Sequence, residues 1–168
     1  MEVKIKKLCE SAVIPTYAKP GDAGMDLVAT SRIFDKYGNV EYGTGLAMEI
    51  PEGYVGLIFA RSSIFKQDLS LSNAVGVIDS GYRGEWFVPI TNCNNVDLII
   101  AKKGCFTDNI VHSYFGSKYK YILYPYEKAI AQFVMHLVPQ FEEKEVSYEE
   151  LQNIKSERGT GALGSSGK

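Results

Sequence analysis

From Val3 to about Leu137 the chain is a series of short, β-prone runs, each cut off by Gly, Pro, Asn or Asp. Runs of that length, separated by turn residues, build antiparallel sandwiches and barrels, whereas a helical fold needs longer stretches of 3.6-residue periodicity. Tyr54 to Phe59 places Val55, Leu57 and Phe59 on one face and Tyr54, Gly56 and Ile58 on the other. Ile130 to Leu137 places Ile130, Gln132, Val134 and His136 opposite Ala131, Phe133, Met135 and Leu137. Gln132 is therefore a polar side chain on a largely apolar strand. The pattern predicts an all-β domain with one or two short helices. One helix follows Arg61, where Ser62 or Ser63 is the candidate cap, and the other starts at Ser147, where Ser147 and Glu150 fit a capping box.

A chain of 168 residues, 45 % hydrophobic and 23 % charged, fits one packed domain and excludes a disordered chain, a disulfide scaffold or a membrane protein. No stretch approaches the roughly 20 apolar residues that span a bilayer. A net charge of −2 gives no general positive field, so no direct nucleic-acid binding is expected and a phosphate ligand would need a local site. Cys9, Cys93 and Cys105 are odd in number and lack metal-ligand spacing, and the opening MEVKIKKLCE has no signal-peptide core. Reduced thiols in a cytoplasmic compartment are expected. After Glu157 the composition changes to RGTGALGSSGK, with four glycines in the ten residues following Arg158. The expected organisation is a β domain over 1–157 and a mobile arm over 158–168. GALGSSGK imitates a phosphate-binding P-loop, but its glycines stand one residue too far apart and no helix follows Lys168.

Five segments carry residues suited to phosphate, metal or water chemistry, and each has a plain structural reading beside the functional one. In DAGMDLVA, Asp26 is either a turn acid or an oxygen partner for magnesium and its waters. In ARSSI, Arg61, Ser62 and Ser63 are either a helix start with a surface arginine or a phosphate cradle. NAVGVIDSGYRGE reads as a β-hairpin turning at Ser80-Gly81. There Asp79 is a turn residue or a general base held by partial burial beside Val77 and Ile78, and Tyr82 packs the hairpin or covers a sugar ring. In AIAQF, Gln132 bonds neighbouring backbone or orients a water or a phosphate oxygen. The arm, with Arg158 and Gly159 to Ser166, is a loose terminus or a wrap for a triphosphate.

The set and order of DAGMDLVA, ARSSI, NAVGVIDSGYRGE, AIAQ and RGTGALGSSG resembles the five motifs of the trimeric dUTPase family, across nearly the whole chain. The resemblance implies a jelly-roll-like β-barrel or sandwich, a homotrimer with sites at subunit interfaces, and hydrolysis of dUTP to dUMP and pyrophosphate with Mg2+. It implies that Asp26 orders magnesium waters and that Arg61, Ser62 and Ser63 bind phosphate. Asn73 and Gly76 lie on the segment that reads uracil, and Tyr82 lies under the deoxyribose. Asp79 activates water, Gln132 is the fourth-motif glutamine, and Arg158, Leu163, Gly164, Ser165 and Ser166 belong to the closing arm.

The chain departs from the family pattern in three places. Lys128 and Ala129 stand where an acidic residue and an arginine usually precede Ile-Ala-Gln, and Ala162-Leu163 replaces the usual Gly-Phe pair that stacks on uracil. A segment of about 97–121, containing His112, reads as a surface insertion and a candidate contact for another protein. Two rivals follow: a dCTP deaminase, whose reaction needs a glutamate where this chain has Pro89, with Glu85 too early, and a dUTP-sensing module that binds a protein through the insertion.

Overall fold

Alternation along each strand decides which side chains face inward. In a computed structural model, which describes residues 2–34, 40–67, 69–92, 128–157 and 159, the buried positions follow that period along 46–48, 54–60 and 69–71. The strands in chain order are β1 Ile5–Lys7, β2 Met25–Val28, β3 Ser31–Phe34, β4 Val40–Gly43, β5 Leu46–Met48 and β6 Tyr54–Ala60. A single turn of helix, α1 Ser62–Phe65, then precedes β7 Leu69–Leu71, β8 Gly76–Ile78, β9 Phe87–Asn92 and β10 Ala129–Leu137. Helix α2 spans Tyr148–Asn153. Chain contacts group residues 1–138 as one unit and 139–168 as another.

In the first unit two four-stranded antiparallel sheets, β2-β10-β6-β8 and β3-β4-β9-β7, share one core, and β1 pairs with β5 in a separate two-stranded ribbon. Leu27, Ile58, Ala131 and Phe133 enter the core from the first sheet, and Val40, Tyr42, Val88 and Ile90 enter it from the second. Burying each Val, Leu, Ile or Phe side chain among them contributes roughly 1.5–3 kcal/mol. Trp86 and Phe133 meet edge to face, with ring centres 5.0 Å apart at 70°. This is the sandwich form of the expected fold; the described strands do not close into a barrel.

Three local expectations are corrected. Ile130 is fully buried, although simple alternation puts it on the outer face with Gln132. A register shift between Ala129 and Ala131 adds a residue to β10 and turns Ile130 inward. The Ser80-Gly81 turn exists, closed by Tyr82 N–H donating to the Asp79 carbonyl at 3.1 Å, but it does not join a hairpin. β8 pairs with β6 in one sheet, while β9 pairs with β4 and β7 in the other. Neither Ser80 nor Gly81 takes the positive φ that two-residue hairpin turns need, so the chain crosses between sheets there.

The third correction concerns the start of α1. Arg61, extended at φ −86° and ψ 153°, occupies the cap position without a side-chain capping bond, and Ser62 and Ser63 are already helical. Ile64 in that turn is fully buried. At α2, Ser147 is the cap, its hydroxyl accepting from Glu150 N–H at 3.1 Å as the sequence predicts.

Candidate active site

Strand β10 lies between β2 and β6, and its register brings three motif residues to one end of the sheet. Gln132 is opposite Asp26 on one side and Phe59 on the other, and Arg61 follows directly where β6 ends. Directly opposed residues share a face, so Asp26, Gln132 and Phe59 form one outward row. Arg61 Nε lies 2.9 Å from Asp26 Oδ1, and its Nη1 donates to the Ala129 carbonyl at 3.1 Å. Gln132 Nε2 donates to the Ala60 carbonyl at 3.4 Å. Gly24 leaves room for the Gln132 amide: a methyl group there would stand 3.3 Å from Oε1. The bulge at Ile130 thus accompanies a backbone carbonyl bound to Arg61 at the place where the family pattern expects an arginine side chain. Ser62 and Ser63 follow Arg61 in α1, which at four residues is too short to supply a helix dipole.

Asp79 and Tyr82 lie elsewhere. Gly56 is opposite Ile78 and Ile58 opposite Gly76, so Asp79 falls at the Tyr54 end of β6. At about 3.3 Å per residue, that is roughly 20 Å along β6 from Arg61. Asp79 is exposed, which corrects the expectation of partial burial: β8 is the sheet's edge strand, and Val77 beside it is 61 % exposed. The Tyr82 hydroxyl donates to the Glu85 carbonyl at 2.8 Å. Asn73 sits in the turn after β7, and Gly76 opens β8, where a methyl group would press against Ile58 Cβ at 3.1 Å. Arg158, Leu163, Gly164, Ser165, Ser166, His112 and the 97–121 segment lie outside the described residues.

Two residues that the sequence pattern does not single out belong to this second cluster. Arg83 Nη1 donates to the carbonyls of Ser80 and Tyr82, and its Nη2 lies 3.7 Å from Glu49 Oε1. Glu49 Oε2 in turn is 3.0 Å from Lys4 Nζ. The Lys4 hydrogen bond and charge, with a smaller contribution from Arg83, hold the Glu49 carboxyl below its ordinary value. Membership of the GVIDSGYRGE stretch was the available signal for Arg83; Glu49 had none, because it is distant in sequence.

Among the described residues no group of three His, Cys, Asp or Glu side chains is arranged to hold a metal. Asp26 offers one carboxylate, 52 % exposed. That suits a magnesium ion brought in by a phosphate ligand, which needs only one or two protein carboxylates, rather than a resident caged ion. Glu85 is committed to structure, its Oε1 accepting from Gly45 N–H at 2.8 Å, and Pro89 lies in β9 opposite Glu41. Neither offers the proton-transferring carboxylate that a deaminase requires.

The family model described as dUTPase matches residues 10–117. Deoxyuridine 5'-triphosphate nucleotidohydrolase of Nautilia profundicola is 38 % identical over the full length of both chains. The Rhodococcus erythropolis protein of that name is 36 % identical over 99 % of this chain and 87 % of its own. Among solved structures, a variant of the Staphylococcus bacteriophage 80alpha dUTPase with dUpNHpp superposes with a TM-score of 0.72 at 27 % identity, covering 99 % of each chain. Another structure of that phage enzyme, also 27 % identical over 99 % of each chain with a TM-score of 0.71, is described as controlling transfer of virulence genes.

Proposed function

The chain belongs to the dUTPase family, and on that premise we propose that the two ends of β6 carry the two halves of its active site. It is a dUTP diphosphatase, hydrolysing dUTP to dUMP and pyrophosphate and so limiting incorporation of uracil into DNA. The observation that carries the site assignment is the meeting of Asp26, Arg61 and Gln132 at one end of β6, with Asp79 and Tyr82 beside its other end.

Within one chain the two clusters stand roughly 20 Å apart along β6, so we assign the complete site to neighbouring copies in a homotrimer. The surface next to the Asp26 row supports this assembly. Val134, Leu57 and Val77 are opposed in register on the outward face, with Val77 exposed and the other two half-buried, giving an apolar strip that a second copy would cover.

In this reading Arg61, Ser62 and Ser63 bind the triphosphate, and backbone groups around Asn73 and Gly76 read the uracil edge. The Tyr82 ring lies under the deoxyribose. Mg2+, when bound, neutralises phosphate charge, and Asp26 would hold it through its waters. Asp79 takes a proton from water, Gln132 orients that water, and its oxygen attacks the α-phosphorus in line as the bond to the bridging oxygen breaks. Pyrophosphate leaves, and Arg158, Leu163, Gly164, Ser165 and Ser166 form the closing arm. The free thiol of Cys9 is consistent with a reducing cytoplasm, and the 97–121 insertion is our candidate contact for a protein partner.

The test is Asp79→Asn. It should abolish release of dUMP while leaving binding of the non-hydrolysable dUpNHpp intact. Unchanged turnover would move the base elsewhere, and ammonia released from dCTP by the unmodified protein would replace the reaction itself.

A further inference from the structure

Within the single chain the assigned base is exposed, so there the backbone that carries Asp79 sets where its carboxylate stands. The turn from Asp79 to Tyr82 is held on two flanks. On the Tyr82 flank, the phenol is bonded to the Glu85 carbonyl, and Glu85 is bonded to Gly45 N–H. On the Asp79 flank, the Ser80 carbonyl is held by Arg83.

That guanidinium makes three contacts in different directions. Nη1 reaches the carbonyls of Ser80 and Tyr82, the latter at 2.9 Å, while Nη2 faces Glu49. Glu49 follows β5 and is itself fixed by Lys4, so the cluster ties the turn to the β1-β5 ribbon. An ion pair this exposed, with the Arg83 side chain 55 % and that of Glu49 39 % accessible, adds little to stability. Its geometric content is larger, because a planar fork with several fixed donors holds an orientation that a single ammonium cannot.

We infer that Arg83, anchored by Glu49, is a positioning residue for hydrolysis: it holds the Asp79 turn in the orientation that general-base action needs. The inference rests on the assignment of Asp79 as base. A misplacement of about 1 Å can cost a reaction roughly a hundredfold, so loss of the fork should act on turnover. The sugar-covering ring of Tyr82 keeps its own anchor on Glu85, so KM should change little.

The experiment compares Arg83→Lys, Arg83→Ala, Glu49→Gln and Asp79→Asn in the full chain, measuring kcat and KM for dUTP with magnesium alongside the thermal midpoint. Arg83→Lys and Arg83→Ala should lower kcat by roughly tenfold to a hundredfold, with KM unchanged and the thermal midpoint lowered only slightly. Glu49→Gln should lower kcat less, in the same direction. If Arg83→Ala fails to assemble, Arg83→Lys and Glu49→Gln carry the test. Full turnover by Arg83→Lys beside an inactive Asp79→Asn overturns the tether alone. Turnover by Asp79→Asn overturns the base assignment, and the tether with it.

Discussion

Arg61 and Asp26 form a 2.9 Å ion pair that joins the end of β6 to β2, and the same guanidinium binds the Ala129 carbonyl on β10. One side chain therefore fixes three strands at the site where a triphosphate would bring its charge. Arg61→Lys keeps the charge but loses the fork, so it cannot hold Asp26 and Ala129 while also meeting phosphate oxygens. By analogy with removal of one preorganised donor, kcat/KM for dUTP should fall by about 10²–10³-fold. Steady-state hydrolysis with saturating magnesium measures it; a value near wild type would remove Arg61 from the phosphate site.

The separation of the Arg61 and Asp79 clusters along β6 predicts complementation. Arg61→Ala and Asp79→Asn should each be inactive alone. When the two are unfolded together and reassembled, some interfaces receive an intact Arg61 cluster from one chain and an intact Asp79 turn from another. Random assembly should restore on the order of a quarter of the wild-type activity, because each half is intact in half the copies and a shared site needs both. No recovery in co-assembled samples would mean that both clusters serve a site within one chain.

The sequence reveals those features that depend on neighbours along the chain. Alternation identifies β6 and β10, the Gly, Pro, Asn and Asp punctuation identifies a sandwich or barrel of short strands, and Ser147 with Glu150 marks the start of α2. Period-two reasoning misplaces Ile130 because a single inserted residue in β10 reverses the parity. Ser80-Gly81 predicts a turn correctly, but a turn signal does not state which sheet receives the strand that follows. The motif order singles out Asp26, Arg61, Gln132 and Asp79 as candidates, but does not show that they fall in two clusters at opposite ends of β6. That separation follows from the antiparallel pairing of β8 with β6, set by contacts remote in sequence.

Gly45 and Gly53 provide a paired test of backbone against packing. Both have positive φ, +66° and +79°, where any side chain is strained. A methyl group at Gly53 would meet nothing within 4 Å, whereas at Gly45 it would stand 2.7 Å from Cys9 Sγ and 3.0 Å from Ala12 Cβ. Gly53→Ala should therefore cost about 1–2 kcal/mol for conformation alone. Gly45→Ala should add about 1–3 kcal/mol of overpacking to that. Urea unfolding at one fixed protein concentration compares them, since assembly makes the midpoint concentration-dependent. Equal costs would show that the Cys9 segment moves aside freely.

The Lys4–Glu49–Arg83 cluster sets a sign for pH dependence. Lys4, and to a smaller extent Arg83, lowers the Glu49 carboxyl below its ordinary value of 4.5. A carboxylate with a lower value in the folded state contributes stability that is present above the unfolded value and is lost as pH falls through the folded one. Glu49→Gln should therefore lower the thermal midpoint slightly near neutrality, and the gap to wild type should close under strongly acid conditions. The exposure of the cluster keeps the effect small, and added salt should shrink it further. A gap that widens on acidification would mean that Glu49 is stabilised as the neutral acid and does not anchor Arg83 as an anion.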